Sequence, residues 1–313
     1  MAPHTPTGLN TRTALLLLLP PLLWAGNAVV GRVAAPWIAP ITFNFLRWLL
    51  AALLLLPLAG WVLRPHSPAW PQWRRFALLG LFGIAGFNML QYLALHTSTP
   101  MNVTLVGASS PVWMLLVGRL FFHAPMTARA VVGAALSLLG VLVVVSRGEL
   151  DSLAHLHLVP GDGWMLLAAC AWAGYSWLLT RHDLGQGFRH DWAAFMLVQI
   201  AIGLFPAALM TAGEWVWLGS QAAPGASAGI IQWSWPLAAV LLFVALGPSL
   251  LAYRCWGLGV QAAGPTIASF FGNLTPLFAA LMSALFLGEP PQPFHALAFA
   301  LIVAGIALPA LRR

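Results

Sequence analysis

Asn88, Gln91 and Tyr92 stand at i, i+3 and i+4 inside the apolar stretch 75–97. A helix there carries two amides and a phenol on one face, and His96 extends that face by a turn. Ser249, Tyr253 and Trp256 repeat the pattern within 235–256. Four more apolar stretches add Trp24 and Asn27, Thr104 and Pro111, Trp172, Tyr175 and Ser176, and Ser269, Phe270, Asn273 and Pro276. Amides and hydroxyls can hydrogen-bond a small polar solute, while rings can hold an apolar arm or a cation over their π faces. Exposed to hydrocarbon these groups are costly, so they should face a bundle interior or a wet cavity. The competing reading is that they glue helices together, at about 0.6 kcal/mol each. For one residue the two readings balance. Several polar or aromatic groups on one face of two stretches favour a shared purpose.

The titratable groups narrow the chemistry. Arg47 and Arg254 lie within apolar stretches and would each cost about 2.5–3.5 kcal/mol at the centre of a membrane helix. Both are expected to snorkel toward an interface, with anion binding as the alternative. No Asp or Glu falls in mid-stretch: Asp162 and Asp191 begin helices as caps, and Glu289 ends one. That disfavours a carboxylate proton relay and leaves His96 as the candidate for proton coupling, against an ordinary interfacial histidine. Cys170 and Cys255 form no CxxC, and the HxH at His155 and His157 falls in a connection, so neither metal nor cofactor is expected. HExxH is absent, and "GASS" at 107–110 is only a partial likeness to a nucleophile turn, with no histidine evident at the depth of Ser109. An intramembrane enzyme is therefore a minor alternative and a polar-lined channel a somewhat stronger one.

These side chains must be positioned by membrane helices. Of 313 residues, 60% are hydrophobic and 7% charged, with a mean hydropathy of +0.86, too few charges to cover a water-facing surface. Ten apolar stretches of spanning length lie near 13–32, 41–63, 75–97, 101–122, 127–146, 162–181, 191–212, 235–256, 265–288 and 292–311. The first could imitate a cleaved signal but reads better as the first span. All 14 basic residues are Arg, and the net charge of +7 reflects topology rather than nucleic-acid binding. With the N-terminus inside, ten arginines fall on cytoplasmic connections, against Arg32 and Arg147 outside. Both termini are therefore expected inside. The long connections 147–161 and 213–234 then face outward, carrying Glu149, Asp151 and Glu214.

A shift of 165 residues superimposes the chain on itself. Pro265, Gly272, Pro276, Leu281, Leu285, Phe286, Pro290, Ala300, Leu301 and Gly305 fall on Pro100, Gly107, Pro111, Leu116, Leu120, Phe121, Pro125, Ala135, Leu136 and Gly140. Upstream, "LLWAG" at 22–26 echoes "CAWAG" at 170–174, and Leu56-Pro57 echoes Phe205-Pro206. The expected organisation is 1–146 as a first five-helix repeat, 147–161 as an outer connection and 162–313 as a second repeat. Five is odd, so the second repeat must be inverted, the pseudo-symmetry of secondary transporters. Pro111 and Pro276 are expected to kink equivalent helices. The fold class is thus an all-α integral membrane protein of ten transmembrane helices in two inverted five-helix repeats. Gly80, Gly83 and Gly86, Gly133 and Ser137, and Ala300 and Ala304 are expected to pack helices closely.

"LLWAGNAVVGR", "FNFLRWLLAALLLL", "GASSPVWMLLVGRLFF" and "GNLTPLFAALMSALFLGEP" together resemble the drug/metabolite transporter superfamily, specifically proteins with two EamA domains. The likeness covers nearly the whole chain. One departure is His123-Ala124, where such domains often end the fourth span with Gly-Glu. The resemblance implies cytoplasmic termini and alternating-access transport of small organic metabolites such as amino acids or related compounds. Export from a bacterial inner membrane is the expected direction. It also implies a central cavity lined by spans 1, 3, 4, 6, 8 and 9. The residues that would line it are Trp24, Asn27, Asn88, Gln91, Tyr92, Thr104, Trp172, Tyr175, Ser249, Tyr253, Ser269, Phe270 and Asn273. The expected partners are a small-molecule substrate and the lipid bilayer.

Overall fold

A computed structural model of the chain describes residues 9–98, 100–149, 151, 159–181, 191–221, 231–287 and 292–310. The regular structure of these residues is helical, apart from one isolated backbone bridge between Ile38 and Ile231. Helices α1 (Thr11–Ala34) and α2 (Pro40–Ala59) come first. Next α3 (Trp73–Leu79) runs through a π-helical stretch, Gly80–Gly86, into α4 (Phe87–Thr97). Ala108 and Ser109 separate α5 (Pro100–Gly107) from α6 (Ser110–Phe121), and α7 (Ala128–Val145) follows.

The later helices are α8 (Pro160–Leu178), α9 (Trp192–Gln221) and α10 (Trp235–Val244). A second π-helical stretch, Ala245–Leu251, joins α10 to α11 (Ala252–Ala263). Asn273 and Leu274 then separate α12 (Pro265–Gly272) from α13 (Thr275–Leu287), and α14 (Pro293–Ala310) closes the described chain.

Local chemistry sets many of these ends. Asn10 accepts from the Thr13 amide at 2.8 Å to start α1, and Asp191 accepts from Ala194 at 2.9 Å to start α9. Proline occupies the first turn of α2, α6, α8, α10 and α12, where its missing N–H leaves no bond unmade. Among the described residues, eight helical runs are long and apolar enough to cross a bilayer. Two of the ten expected stretches are not among the eight: α14, which is apolar but shorter, and the 19-residue α8. The lipid-facing surface is plain from exposure, since Phe205 is 71% and Leu285 80% accessible. Side chains of that kind belong in hydrocarbon rather than water.

One expected connection is corrected. The stretch from residue 213 is not loop at its start: α9 continues to Gln221, and Glu214 is buried. Its carboxylate accepts from the Ile41 amide at 2.9 Å and from the Thr42 amide and hydroxyl at 2.7 and 2.6 Å, capping α2. The Trp215 indole donates to the same hydroxyl at 2.8 Å. The end of α9 therefore meets the start of α2, and the two helices run antiparallel. Exposed Trp61, Trp70 and Trp73 then lie at one end of the bundle and Trp215, Trp217, Trp233 and Trp235 at the other, as interfacial belts would.

Helix pairing follows small residues and shape. α7 packs along α14, where a Cβ on Gly133 would meet the Gly305 carbonyl oxygen at 2.7 Å and one on Gly140 the Ala298 carbonyl oxygen at 2.9 Å. α1 packs on α11 and α13, α8 on α4 and α6, and α2 on α9. The two π-helical stretches occupy positions 165 residues apart, and so do the two interruptions at Ala108 and Asn273. At those interruptions the Asn273 amide donates to the Ala108 carbonyl oxygen at 3.2 Å and to the Ser137 hydroxyl at 2.8 Å. Pro111 and Pro276 stand in the first turn of the helices that resume.

Candidate substrate site

The π-helical stretches deform the backbone at the middle of the bundle, and each presents a carbonyl to an aromatic donor from another element. The Tyr253 hydroxyl donates to Gly83 O at 2.6 Å, and the Trp24 indole donates to Pro248 O at 3.2 Å. Gly83 must be glycine here, because a Cβ would lie 2.5 Å from the Tyr175 ring. These contacts bring α1, α8 and α11 together around one cluster of rings. Trp172 sits 5.3 Å from Trp24, 5.3 Å from Tyr175, 5.6 Å from Tyr253, 5.2 Å from Trp256 and 5.3 Å from Phe87, centroid to centroid. Trp48 closes another side against Tyr253 at 5.0 Å, and the Trp256 indole donates to Ser176 Oγ at 3.1 Å.

Beside the rings lies a polar group of three. Arg47, on the second turn of α2, is only 4% exposed. Its Nη2 donates to Asn88 Oδ1 at 3.0 Å and its Nη1 to Asn27 Oδ1 at 3.5 Å, while Asn88 Nδ2 donates to Ile84 O at 3.3 Å. The guanidinium carbon stands 5.1 Å from the Trp48 ring centroid. The snorkelling expected of Arg47 does not occur: amides from α1 and α4 hold the head group inside. Arg254 differs, half-buried with its guanidinium carbon 5.2 Å from the ring of Trp192 at the start of α9.

Of the residues singled out from sequence, Trp24, Asn27, Asn88, Trp172, Tyr175, Ser176, Tyr253 and Trp256 meet in this cluster. Ser249, fully buried in the second π-helical stretch, has no hydrogen-bond partner for its hydroxyl among the described residues. Ser269 turns its hydroxyl to Thr266 O at 2.7 Å, and Phe270 is packed in the main core. Asn273 ties the two helix interruptions to α7, as described above. Gln91 and Thr104 are half-buried on α4 and α5. The side chains of Tyr92 and His96, the pair His155 and His157, and Gly288-Glu289-Pro290 lie outside the described residues.

Trp48, Phe87 and the inward setting of Arg47 were not anticipated. A charge in the middle of "FNFLRWLL" was the available signal for Arg47. A second polar node centres on Asp162, whose place at a helix start marks only a cap in the sequence. Asp162 accepts from the Val159 amide at 2.9 Å but also from Ser98 Oγ at 2.5 Å and Asn102 Nδ2 at 3.3 Å, joining α8 to the α4–α5 junction. At the other end of α8, the Arg75 guanidinium donates to Leu178 O at 3.2 Å and to Arg181 O. The helix carrying Trp172 and Tyr175 is thus tied to its neighbours above and below the cluster.

The helices thus form a multi-pass membrane bundle that gathers aromatic and amide side chains into one cluster. Residues 11–146 and 159–310 each match the EamA-like transporter family, and the chain belongs to that family. It is 28% identical over 303 residues to an uncharacterized transporter of Archaeoglobus fulgidus, covering 96% of this chain and 98% of that one. It is 25% identical over 295 residues to the uncharacterized inner membrane transporter YedA of Escherichia coli K12, covering 92% and 87%. A solved crystal structure shares the fold at a TM-score of 0.70, with 18% identity over 96% of this chain and 97% of the other.

Proposed function

We propose that this protein is a secondary transporter of small organic metabolites, such as amino acids or related compounds, working by alternating access as an exporter in a bacterial inner membrane. Its two halves, 1–146 and 162–313, act as inverted five-helix repeats with both termini cytoplasmic. The observation that carries this reading is the meeting of equivalent residues across the molecule. Asn273 bonds to Ala108, its counterpart at a separation of 165 residues. The helix pairs support it too, for α1 against α11 and α13 has its counterpart in α8 against α4 and α6. Two halves related in this way can exchange conformations about the point where they meet. The aromatic and amide cluster lies at that point, so the substrate binds there, between the rings and the Arg47–Asn88–Asn27 group. His96 is the titratable residue proposed for proton coupling.

Reconstituted vesicles loaded with members of a metabolite panel test the mechanism. A carrier shows uptake accelerated by substrate on the far side, and an imposed pH gradient changes the flux if protons are coupled. Flux indifferent to far-side substrate would indicate a channel and overturn the reading.

A further inference from the structure

We propose that Arg47 is the point at which the substrate is recognised, and that the transported solutes are monocarboxylates bearing a ring or apolar arm. The inference rests on the transporter reading and deepens it. Arg47 is a permanent cation, and its guanidinium carries five N–H donors. It is 4% exposed, yet no carboxylate among the described residues pairs with it: its bonded partners are the oxygens of two neutral amides. Those amides orient the head group without neutralising it. Nε is buried and has no hydrogen-bond partner among the described residues. A buried cation lacking a counter-charge is expensive to keep, and a bound anion is the partner that would relieve it.

The surroundings define what else the ligand carries. Trp48 and Tyr253 flank the guanidinium, and Trp24 and Trp172 continue the aromatic wall beyond Tyr253. A carboxylate suits the planar fork of a guanidinium, and the adjoining wall suits a ring or an apolar chain. Arg254 lies over Trp192 instead. With one cation at the site, a single negative charge is matched and a phosphate dianion is not.

The test is a charge series on one scaffold, using the purified full-length protein in detergent micelles. Phenylacetate, phenylacetamide and 2-phenylethylamine are titrated while the tryptophan fluorescence of the cluster is followed, with benzoate and indole-3-acetate, each beside its amide, as further acids. At least one acid should bind ten-fold or more tightly than its amide, with 2-phenylethylamine weakest in its series. In Arg47→Gln that preference should vanish, the acid weakening ten-fold or more while the amide is unchanged. Arg47→Lys should retain part of it, and the preference in the unmodified protein stands as a test even if both variants misfold. Amides or amine binding as well as the acids, or no acid binding, would overturn the proposal. So would an Arg47→Gln protein that keeps its affinity for the acids. Trans-stimulated uptake of neutral or cationic solutes alongside such a result would leave the transporter reading standing and sink only this inference.

Discussion

Removing the Glu214 carboxylate should loosen the junction between α2 and α9 more than any change at a surface acid would. The carboxylate accepts three hydrogen bonds, from the amides of Ile41 and Thr42 and from the Thr42 hydroxyl, at 2.6–2.9 Å. Ile41 and Thr42 are both buried, so water reaches the freed amides poorly. Loss of a helix cap alone costs about 0.5–2 kcal/mol. Each buried donor left without a partner adds about 1–3 kcal/mol before relaxation. Glu214→Ala should therefore lower stability by roughly 2.5 kcal/mol or more. Glu214→Gln keeps one acceptor but turns an NH2 toward a donor, and should lose about half as much. Thr42→Val removes the hydroxyl that links Glu214 and Trp215, for about 1–2 kcal/mol. Because the two side chains touch, the double variant should fall short of additivity by about 1 kcal/mol. Equilibrium unfolding in mixed micelles, following the tryptophan signal, measures all four values. If Glu214→Ala and Glu214→Gln both unfold within about 0.5 kcal/mol of the parent, the size of a typical surface substitution, the cap does not hold α2 in place.

Gly83→Ala should drive its new methyl into the Tyr175 ring at 2.5 Å and displace the cluster, cutting transport while leaving membrane abundance near normal, as quantitative blotting beside uptake would show. Asn273→Ala, which removes two hydrogen bonds at the helix interruptions, should destabilise by about 1–3 kcal/mol in the same unfolding assay. Substitution of Asn88, Trp172 or Tyr253 should reduce transport more than abundance, and full activity in all three variants would remove the substrate from this cluster.

The helical membrane class was legible because hydropathy and breaker residues are local signals, and the cap at Asp191 is as local. The faces carrying Asn88 and Tyr253 were legible too, since helical phase is fixed by spacing within one segment. Less legible was anything supplied from far along the chain. Glu214 reads as a loop acid because the donors that bury it, at Ile41 and Thr42, lie more than 170 residues away. Arg47 reads as a snorkelling residue for the same reason: the amides that hold it come from α1 and α4. The glycines at 80, 83 and 86 were readable as packing residues, and Gly80 and Gly83 do meet Gln199, Gly203 and Tyr175 at close range. That they also lie in a π-helical stretch presenting Gly83 O to Tyr253 was not, because a widened turn leaves no mark on periodicity over so short a run.

The central claim is that two equivalent halves exchange access to the Arg47 and aromatic cluster. Counterflow measures this most directly: vesicles preloaded with an excess of unlabelled substrate, diluted into a trace of the labelled compound. The account predicts a transient accumulation of label above equilibrium, abolished when Tyr253 or Trp172 is replaced. Label that only equilibrates, at a rate unaffected by the internal pool, would contradict it.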